Sequence, residues 1–175
     1  MQEHGHSTIS SRQCLTDLER NILMHAWKNA NLPPRVKTFA WRLIRRALAS
    51  GSRASRLSSH IKKECSQCGL PETDVHLFFH CQFARAVWFA APLGFRTDNF
   101  DHAVYPSNII QSLLASAHSE VSVHSVFAIL CMLWKARNDL LFNRKSWSVL
   151  QVHCAARTLL SAGKKEQQIQ VDSSP

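Results

Sequence analysis

Residues 65–81 read CSQCGLPETDVHLFFHC, and this stretch decides how the chain is organised. Cys65 and Cys68 form a C-x2-C pair, His76 follows after seven further residues, and Cys81 follows after four more. A C-x2-C knuckle lets two thiolates reach one tetrahedral ion, and a second pair of ligands completes the shell. Gly69 directly after the second cysteine suits the tight turn of such a knuckle. The spacing predicts one bound Zn²⁺.

The fourth ligand is open to two interpretations, because His80 lies four residues after His76 and next to Cys81. Adjacent residues rarely bind the same ion, so one of the two should be spare. The thiolate is the stronger zinc ligand at neutral pH, which favours Cys81. Four protein ligands leave no position for an activated water, so the predicted site is structural and not catalytic.

The alternative interpretation of the cysteines is that they are small buried apolar residues. The C-x2-C spacing argues against it for the cluster. It is the interpretation that we adopt for the three remaining cysteines, which are Cys14, Cys131 and Cys154.

The positive charge of the chain is concentrated in one segment. The net charge is +9, from 21 basic and 12 acidic residues, and residues 35–63 hold nine basic and no acidic residues. This segment therefore carries the whole surplus, which makes a polyanion a candidate partner, with nucleic acid ahead of a membrane. The predicted phosphate contacts are Arg42, Arg45, Arg46, Arg53, Arg56, Lys62 and Lys63, with Trp41 as a possible stacking platform. The competing interpretations are a solvated basic face and, for Trp41, a core aromatic beside Phe39.

Few glycines and prolines and the apolar periodicity predict a mainly α protein. The first helix should start near Thr16 or Asp17, and Arg35 should open a second, cationic helix that ends at Gly51. A short helix should follow the cysteine cluster before Pro92. Further helices are expected over 109–114, 121–142 and 148–160.

These elements suggest a small helical domain with one zinc knuckle, followed by a C-terminal helical segment. The expected organisation is a disordered N-terminus (1–15), a zinc-binding domain (16–93), a linker (94–108), a helical segment (109–162) and a disordered tail (163–175).

Several classes of protein lack support in the sequence. The polar start has no apolar stretch of the kind that a signal peptide needs, and the longest apolar run, 126–134, is too short to cross a bilayer. We therefore expect an intracellular protein, nuclear or cytoplasmic, that is not secreted and has no membrane partner. Metalloprotease, α/β-hydrolase and phosphate-loop motifs are absent from the sequence, which predicts neither an enzyme nor a small-molecule substrate.

Longer motifs around the cysteines resemble a known family. The stretch Leu32-Pro-Pro-Arg-Val-Lys-Thr-Phe-Ala-Trp-Arg42, the basic loop, the Cys65–Cys81 pattern and the segment 84–88 together resemble the zinc-binding domain of plant-type non-LTR (LINE-type) reverse transcriptases. The resemblance covers about residues 18–88. The later Leu133-Trp-Lys-Ala-Arg-Asn-Asp-Leu-Leu-Phe142 resembles the helix that follows this domain, ahead of the RNase H domain.

The resemblance carries further expectations. It implies Cys65, Cys68, His76 and Cys81 as metal ligands, with the position of His80 variable in the family. It also implies an accessory role in holding RNA or target DNA, with no catalysis. The phosphate contacts of the basic segment would make this binding salt-sensitive and weakly sequence-specific. The aromatic-x-Asp-Asp motif of the polymerase and the spaced carboxylates of RNase H are absent from the sequence, which predicts a stand-alone or truncated copy.

A second hypothesis is a helical protein-interaction module, in which zinc only fixes the fold and the helix over 121–142 docks a protein partner. The simpler interpretation of that helix is that it forms part of the core.

Overall fold

Helices dominate the computed structural model, which describes residues 14–28, 32–91, 95–100, 105–115 and 120–172 and contains no β-strand in these ranges. The α-helices in this part of the chain are α1 (Asp17–Trp27), α2 (Pro34–Ile44), α3 (Gly51–Ala54), α4 (Gln82–Ala90), α5 (Pro106–Ala115), α6 (Glu120–Asn143) and α7 (Val149–Asp172). A π-helical turn, His76–His80, precedes α4, and a 3-10 turn, Thr97–Phe100, follows it. The predicted mainly α fold is confirmed.

Helix α1 begins where the sequence predicts, because Thr16 and Glu19 form a capping box. The Thr16 hydroxyl accepts from the Glu19 N–H at 3.2 Å, and the Glu19 carboxylate accepts from the Thr16 N–H at 3.0 Å. These two bonds satisfy N–H groups that have no partner inside the helix. Ile22, Leu23 and Ala26 form its buried face.

Helix α2 is shorter than predicted, since it ends at Ile44 and not at Gly51. Arg46 adopts a left-handed backbone (φ 53°), and its N–H bonds to the Leu43 carbonyl at 3.0 Å. The Ala47 N–H bonds to the Arg42 carbonyl at 2.7 Å. This pair of bonds is a Schellman motif, which normally has glycine at the left-handed position. Gly51 instead opens α3.

Two clusters of aromatic side chains connect the π-helical turn to the helices around it. Phe78 packs against Phe39 of α2 and Trp134 of α6, with ring centroids 5.9 and 6.4 Å apart. Phe79 stacks on Trp88 of α4 at 5.8 Å. The Trp88 indole N–H donates to the Phe78 carbonyl at 2.7 Å, which satisfies a buried polar group. The turn is therefore fixed on both sides.

A buried ion pair connects the turn after the cysteine knuckle to α6. Glu72 is 1% exposed, and its Oε1 accepts from Arg137 Nη2 at 2.6 Å and from the Gly51 N–H at 2.7 Å. Arg137 Nε lies 3.1 and 3.3 Å from the two carboxylate oxygens. The contact joins residues 65 positions apart in the sequence.

The C-terminal helices pack on the same core as α1 to α4. Buried side chains of α5, α6 and α7 belong to one hydrophobic cluster with Ile22, Phe39 and Trp88. Helix α5 begins at Pro106, inside the expected linker 94–108. The backbone of α7 stays helical to Asp172, well into the expected tail 163–175, where strong helix formers such as lysine and glutamine dominate the sequence. Most of the N-terminal segment 1–15 lies outside the described residues.

None of the helices in the described ranges has the length and apolar character that crossing a bilayer requires.

We expect Arg137→Ala to lower the free energy of unfolding by about 3–5 kcal/mol, because it leaves the Glu72 carboxylate buried without its counter-ion. Urea denaturation followed by circular dichroism measures the loss. Arg96→Ala is the control, since Arg96 is 71% exposed in its contact with Asp98 and a surface pair contributes little. Equal effects of the two substitutions would show that the buried pair has no special role.

Gly51→Ala should also destabilise the fold, by about 1–3 kcal/mol, because the site is closely packed. A Cβ at position 51 would lie 3.0 Å from the carbonyl oxygens of both Lys62 and Lys63 and 3.2 Å from the Glu72 Cβ. The neighbouring Ser52→Ala, which adds no atoms, is the control. A Gly51→Ala protein with the melting temperature of the parent would contradict the prediction.

Candidate metal centre

The first two cysteines lie in a tight knuckle closed by backbone hydrogen bonds. The Cys65 N–H donates to the Leu70 carbonyl at 2.7 Å, and the Gly69 N–H donates to the Cys65 carbonyl at 2.8 Å. Gly69 has φ 79°, a left-handed conformation that glycine adopts without steric cost. Beyond the knuckle, Glu64 and Pro71 form an isolated antiparallel bridge. The turn thus directs both thiols to one side.

The other two residues of the cluster are placed by the π-helical turn. The Cys81 N–H donates to the His76 carbonyl at 2.7 Å, a bond that spans five residues. This wider turn joins the two ends of the segment 76–81, and π-helical turns occur frequently at functional sites. The His76 N–H is bound by the Thr73 hydroxyl at 3.1 Å. Cys81 then serves as the N-cap residue of α4.

The four side chains meet in space. The ligand atoms of Cys65, Cys68, His76 and Cys81 all lie within 4.8 Å of one another. Cys65 Sγ and Cys81 Sγ are 3.9 Å apart, and Cys68 Sγ and His76 Nε2 are 3.2 Å apart. In a tetrahedral site with Zn–S bonds of about 2.3 Å, two sulfurs lie about 3.8 Å apart. The cluster could therefore hold one zinc ion, as the sequence predicts.

Cys65 and Cys81 are close enough for a hydrogen bond between their sulfur atoms. The hydrogen bond to Cys81, together with burial, raises the pKa of Cys65 to about 12, and the same contact lowers the pKa of Cys81. Zinc binds thiolates, so its binding must displace the protons of these thiols, and its affinity should fall as the pH falls.

His80 lies outside the cluster. Its Nε2 is 3.2 Å from the Phe100 carbonyl oxygen, so the ring is directed to the 3-10 turn after α4. The structure thus places Cys81 and not His80 among the four residues, in agreement with the argument from thiolate affinity.

The three remaining cysteines are outside the cluster, but only one is shielded from solvent. Cys131 is partly buried, and burial raises the pKa of its thiol to about 11. Cys14 and Cys154 are exposed, so the interpretation of them as buried apolar residues is wrong. Each lies on the solvent side of its segment, where a small side chain needs no core contact.

The seven basic residues predicted to contact phosphate fall into two groups. Arg42, Arg56, Lys62 and Lys63 are exposed. Arg53 instead donates to Asp74 Oδ2 at 2.7 Å and to the Leu48 carbonyl at 2.9 Å, so it also has a structural role. Arg45 and Arg46 are partly buried. Arg46 Nη2 lies 3.7 Å from Glu19 Oε1, and the Arg46 guanidinium lies 3.8 Å from the centroid of the Tyr105 ring.

Trp41 does not join the core, although Phe39 two residues earlier does. Its exposed fraction is 46%, against 6% for Phe39. The helical step between the two residues directs their side chains to different faces of α2. The indole is thus accessible for stacking, and the interpretation of Trp41 as a core aromatic is wrong.

The Cys3His cluster has the ligand set of a structural zinc site and lies in a small helical fold. Residues 8–88 match the model of a family described as zinc-binding in reverse transcriptase. The match covers the whole cluster and confirms the resemblance of this segment to the reverse-transcriptase zinc-binding domain. Comparison with curated proteins and with solved structures gave no match.

We expect one zinc ion per chain in freshly purified protein, measured by elemental analysis. Cys65→Ser or Cys68→Ser should lose the ion and destabilise residues 62–88, because ligation supplies folding energy to this segment in addition to its contacts with the core. Hydrogen exchange should then show fast amide exchange in this range. Protein without stoichiometric metal would refute the site.

The assignment of the fourth ligand has its own test. Cys81→Ala should lose the zinc, whereas His80→Ala, which removes the contact with Phe100, should retain it. The reverse pattern in the same elemental analysis would assign His80 as the ligand.

Proposed function

We propose that this protein is a zinc-stabilised nucleic-acid-binding accessory module derived from a non-LTR retrotransposon reverse transcriptase, without polymerase activity of its own. The observation that carries the proposal is the segment 35–63, which has nine basic residues and no acidic one. It lies within the part of the chain that matches the reverse-transcriptase family model. Its RNA or DNA ligand would be bound through phosphate groups, with low sequence specificity.

The zinc knuckle and the basic segment are coupled through the backbone. Lys62 and Lys63 are exposed immediately before the knuckle. The Lys63 carbonyl accepts from the Glu72 N–H at 2.8 Å, so the lysines are tied to the far side of the same knuckle. Zinc would thus order the loop that presents these two charges, which gives a non-catalytic metal a direct role in binding.

The acidic side chains support an accessory role and not a catalytic one. Within the described residues, the only group of three or more histidine, cysteine or carboxylate side chains that could hold a metal is the zinc cluster. Glu72 and Asp74 are engaged by Arg137 and Arg53, and Asp98 by Arg85. Two-metal polymerase or nuclease chemistry needs a cluster of carboxylates, which this arrangement does not supply.

The apolar face of α6, which the protein-interaction hypothesis requires, is buried. It requires the apolar face of α6 to be available to a partner, but Val126, Phe127, Leu130 and Leu133 are buried in the core. Among the side chains of α6 that the structure describes, those of residues 123–143, the exposed large apolar ones are Leu141 and Phe142 at the end of the helix. The observations therefore favour the nucleic-acid hypothesis.

Replacing Arg42, Arg56, Lys62 and Lys63 together by glutamine should remove about four phosphate contacts. The slope of log affinity against log salt should then fall by about 3 units on single strands or duplex DNA. Electrophoretic mobility shifts with RNA and DNA at several salt concentrations measure the slope. Arg53 is left intact because its loss would remove the contact with Asp74.

The matched control replaces four exposed basic residues outside the segment by glutamine: Arg96, Arg144, Lys145 and Arg157. Both variants lose the same charge, so a general electrostatic effect would change them equally. A parent protein that binds neither RNA nor DNA at low salt would overturn the proposal, and so would equal slopes for the two variants.

A further inference from the structure

A cavity of about 360 Å³ lies beside α3 and brings together three arginines of the basic segment. Arg46, Arg53 and Arg56 line it, together with Asp74, Thr73 and Tyr105. The volume is within the range of small-ligand pockets. Three guanidinium groups outnumber the two carboxylates near them, Asp74 and Glu19, so the cavity keeps a net positive charge and an anionic ligand is favoured.

One guanidinium in the cavity is held in place before any ligand binds. Arg53 is fixed at 2.7 Å by Asp74 Oδ2 and at 2.9 Å by the Leu48 carbonyl, contacts that occupy two of its five N–H donors. The remaining donors are oriented without further loss of side-chain freedom. Such preorganisation increases affinity for a phosphate group.

Asp74 indicates that the ligand also carries a hydrogen-bond donor. The residue is 8% exposed, and its Oδ1 has no hydrogen-bond partner among the described residues. A buried carboxylate oxygen without a partner is costly, and an N–H or O–H donor would satisfy it. A phosphodiester carries no O–H group, so in a nucleic-acid strand this donor would come from the sugar or the base of the nucleotide whose phosphate is bound.

Arg46 adds an unusual backbone feature at the edge of the cavity. Its left-handed conformation, φ 53°, is one in which glycine would be unstrained, yet an arginine stands there with its guanidinium 3.8 Å from the Tyr105 ring centroid. Tyr105 is itself 43% exposed. An exposed aromatic ring beside a guanidinium is a surface on which an unpaired base can stack.

We infer that this cavity binds one unpaired nucleotide of a nucleic-acid strand, with its phosphate on Arg53 and Arg56, its base against Arg46 and Tyr105, and a sugar or base donor on Asp74. The inference rests on the proposed function and deepens it by locating a nucleotide site. Arg56 belongs both to the exposed phosphate contacts and to this cavity. The cavity adds the requirement for a single strand, which Arg46, Tyr105 and Asp74 impose.

The test measures fluorescence anisotropy of a labelled twelve-nucleotide oligoadenylate RNA at 0.1 M salt, with the zinc-loaded protein. Arg56→Gln should weaken binding about five- to tenfold, the expected effect of one lost phosphate contact on a single strand at this salt. Arg157→Gln removes an exposed charge outside the cavity and should change the affinity less than about twofold. Equal effects of the two variants would overturn the inference.

Asp74→Asn separates the cavity from general electrostatics by the sign of its effect. The amide oxygen can still accept from Arg53, while the other position becomes a donor. Removal of a negative charge should strengthen binding if only net charge matters, but the inference requires binding to weaken, by about tenfold. Unchanged or stronger binding by a folded variant would contradict it.

Arg46→Gly removes a side chain of the cavity without destabilising the fold, because glycine suits the left-handed backbone at this position. This variant should melt close to the parent temperature and still bind the RNA several-fold more weakly. Normal binding would exclude Arg46 from the site.

Two further ligands define what occupies the cavity. A hairpin RNA with the same adenines paired should bind more weakly than the single strand, and adenosine monophosphate should compete only at far higher concentration. Equal binding of the hairpin would overturn the requirement for an unpaired base, and equally tight binding of the mononucleotide would overturn the assignment to a strand. If the parent binds no nucleic acid, the proposed function fails; if the parent binds and the cavity variants match Arg157→Gln, only the cavity inference fails.

Discussion

The Glu72 carboxylate is the contact on which the arrangement of the other elements depends. Its side chain accepts from the Gly51 N–H and from Arg137, while its backbone bonds to Lys63 and to Ser52. A single buried residue thereby joins α3, the cysteine knuckle and α6. Burying a carboxylate is unfavourable unless its oxygens are bonded, so these partners must all be in place together. That requirement explains why position 51 has no room for a side chain.

Zinc and this ion pair stabilise different levels of the structure. The four ligands span only residues 65–81 and fix the local path of the knuckle and of the π-helical turn. The pair of Glu72 and Arg137 then joins this short segment to a helix that follows much later in the chain. Phe78 supports the same junction, since its ring lies between Phe39 and Trp134. Metal ligation alone would leave the knuckle ordered but unattached to α6.

Local features of this fold were predictable and long-range ones were not. The spacing of Cys65, Cys68, His76 and Cys81 predicts the cluster because its geometry is set within 17 residues. Thr16 and Glu19 likewise indicate the start of α1, because they form its capping box. The end of α2 was missed because a left-handed arginine replaces the glycine that usually marks such a stop. No periodicity indicates that Glu72 and Arg137 meet, since the contact depends on how the helices pack.

The positive charge of the basic segment also depends on long-range contacts that the local sequence does not show. Counted along the sequence, segment 35–63 has no acidic residue, but in the fold Asp74 contacts Arg53 and Glu19 lies near Arg46. These carboxylates come from elements on either side of the segment, so a count along the chain overstates the charge available to a ligand. They also restrict where the arginines can point. Guanidinium groups held in fixed positions are suited to binding one anion at a defined place. The arginines next to α3 can therefore bind a single phosphate group, whereas the exposed lysines before the knuckle can contact a polyanion at many positions.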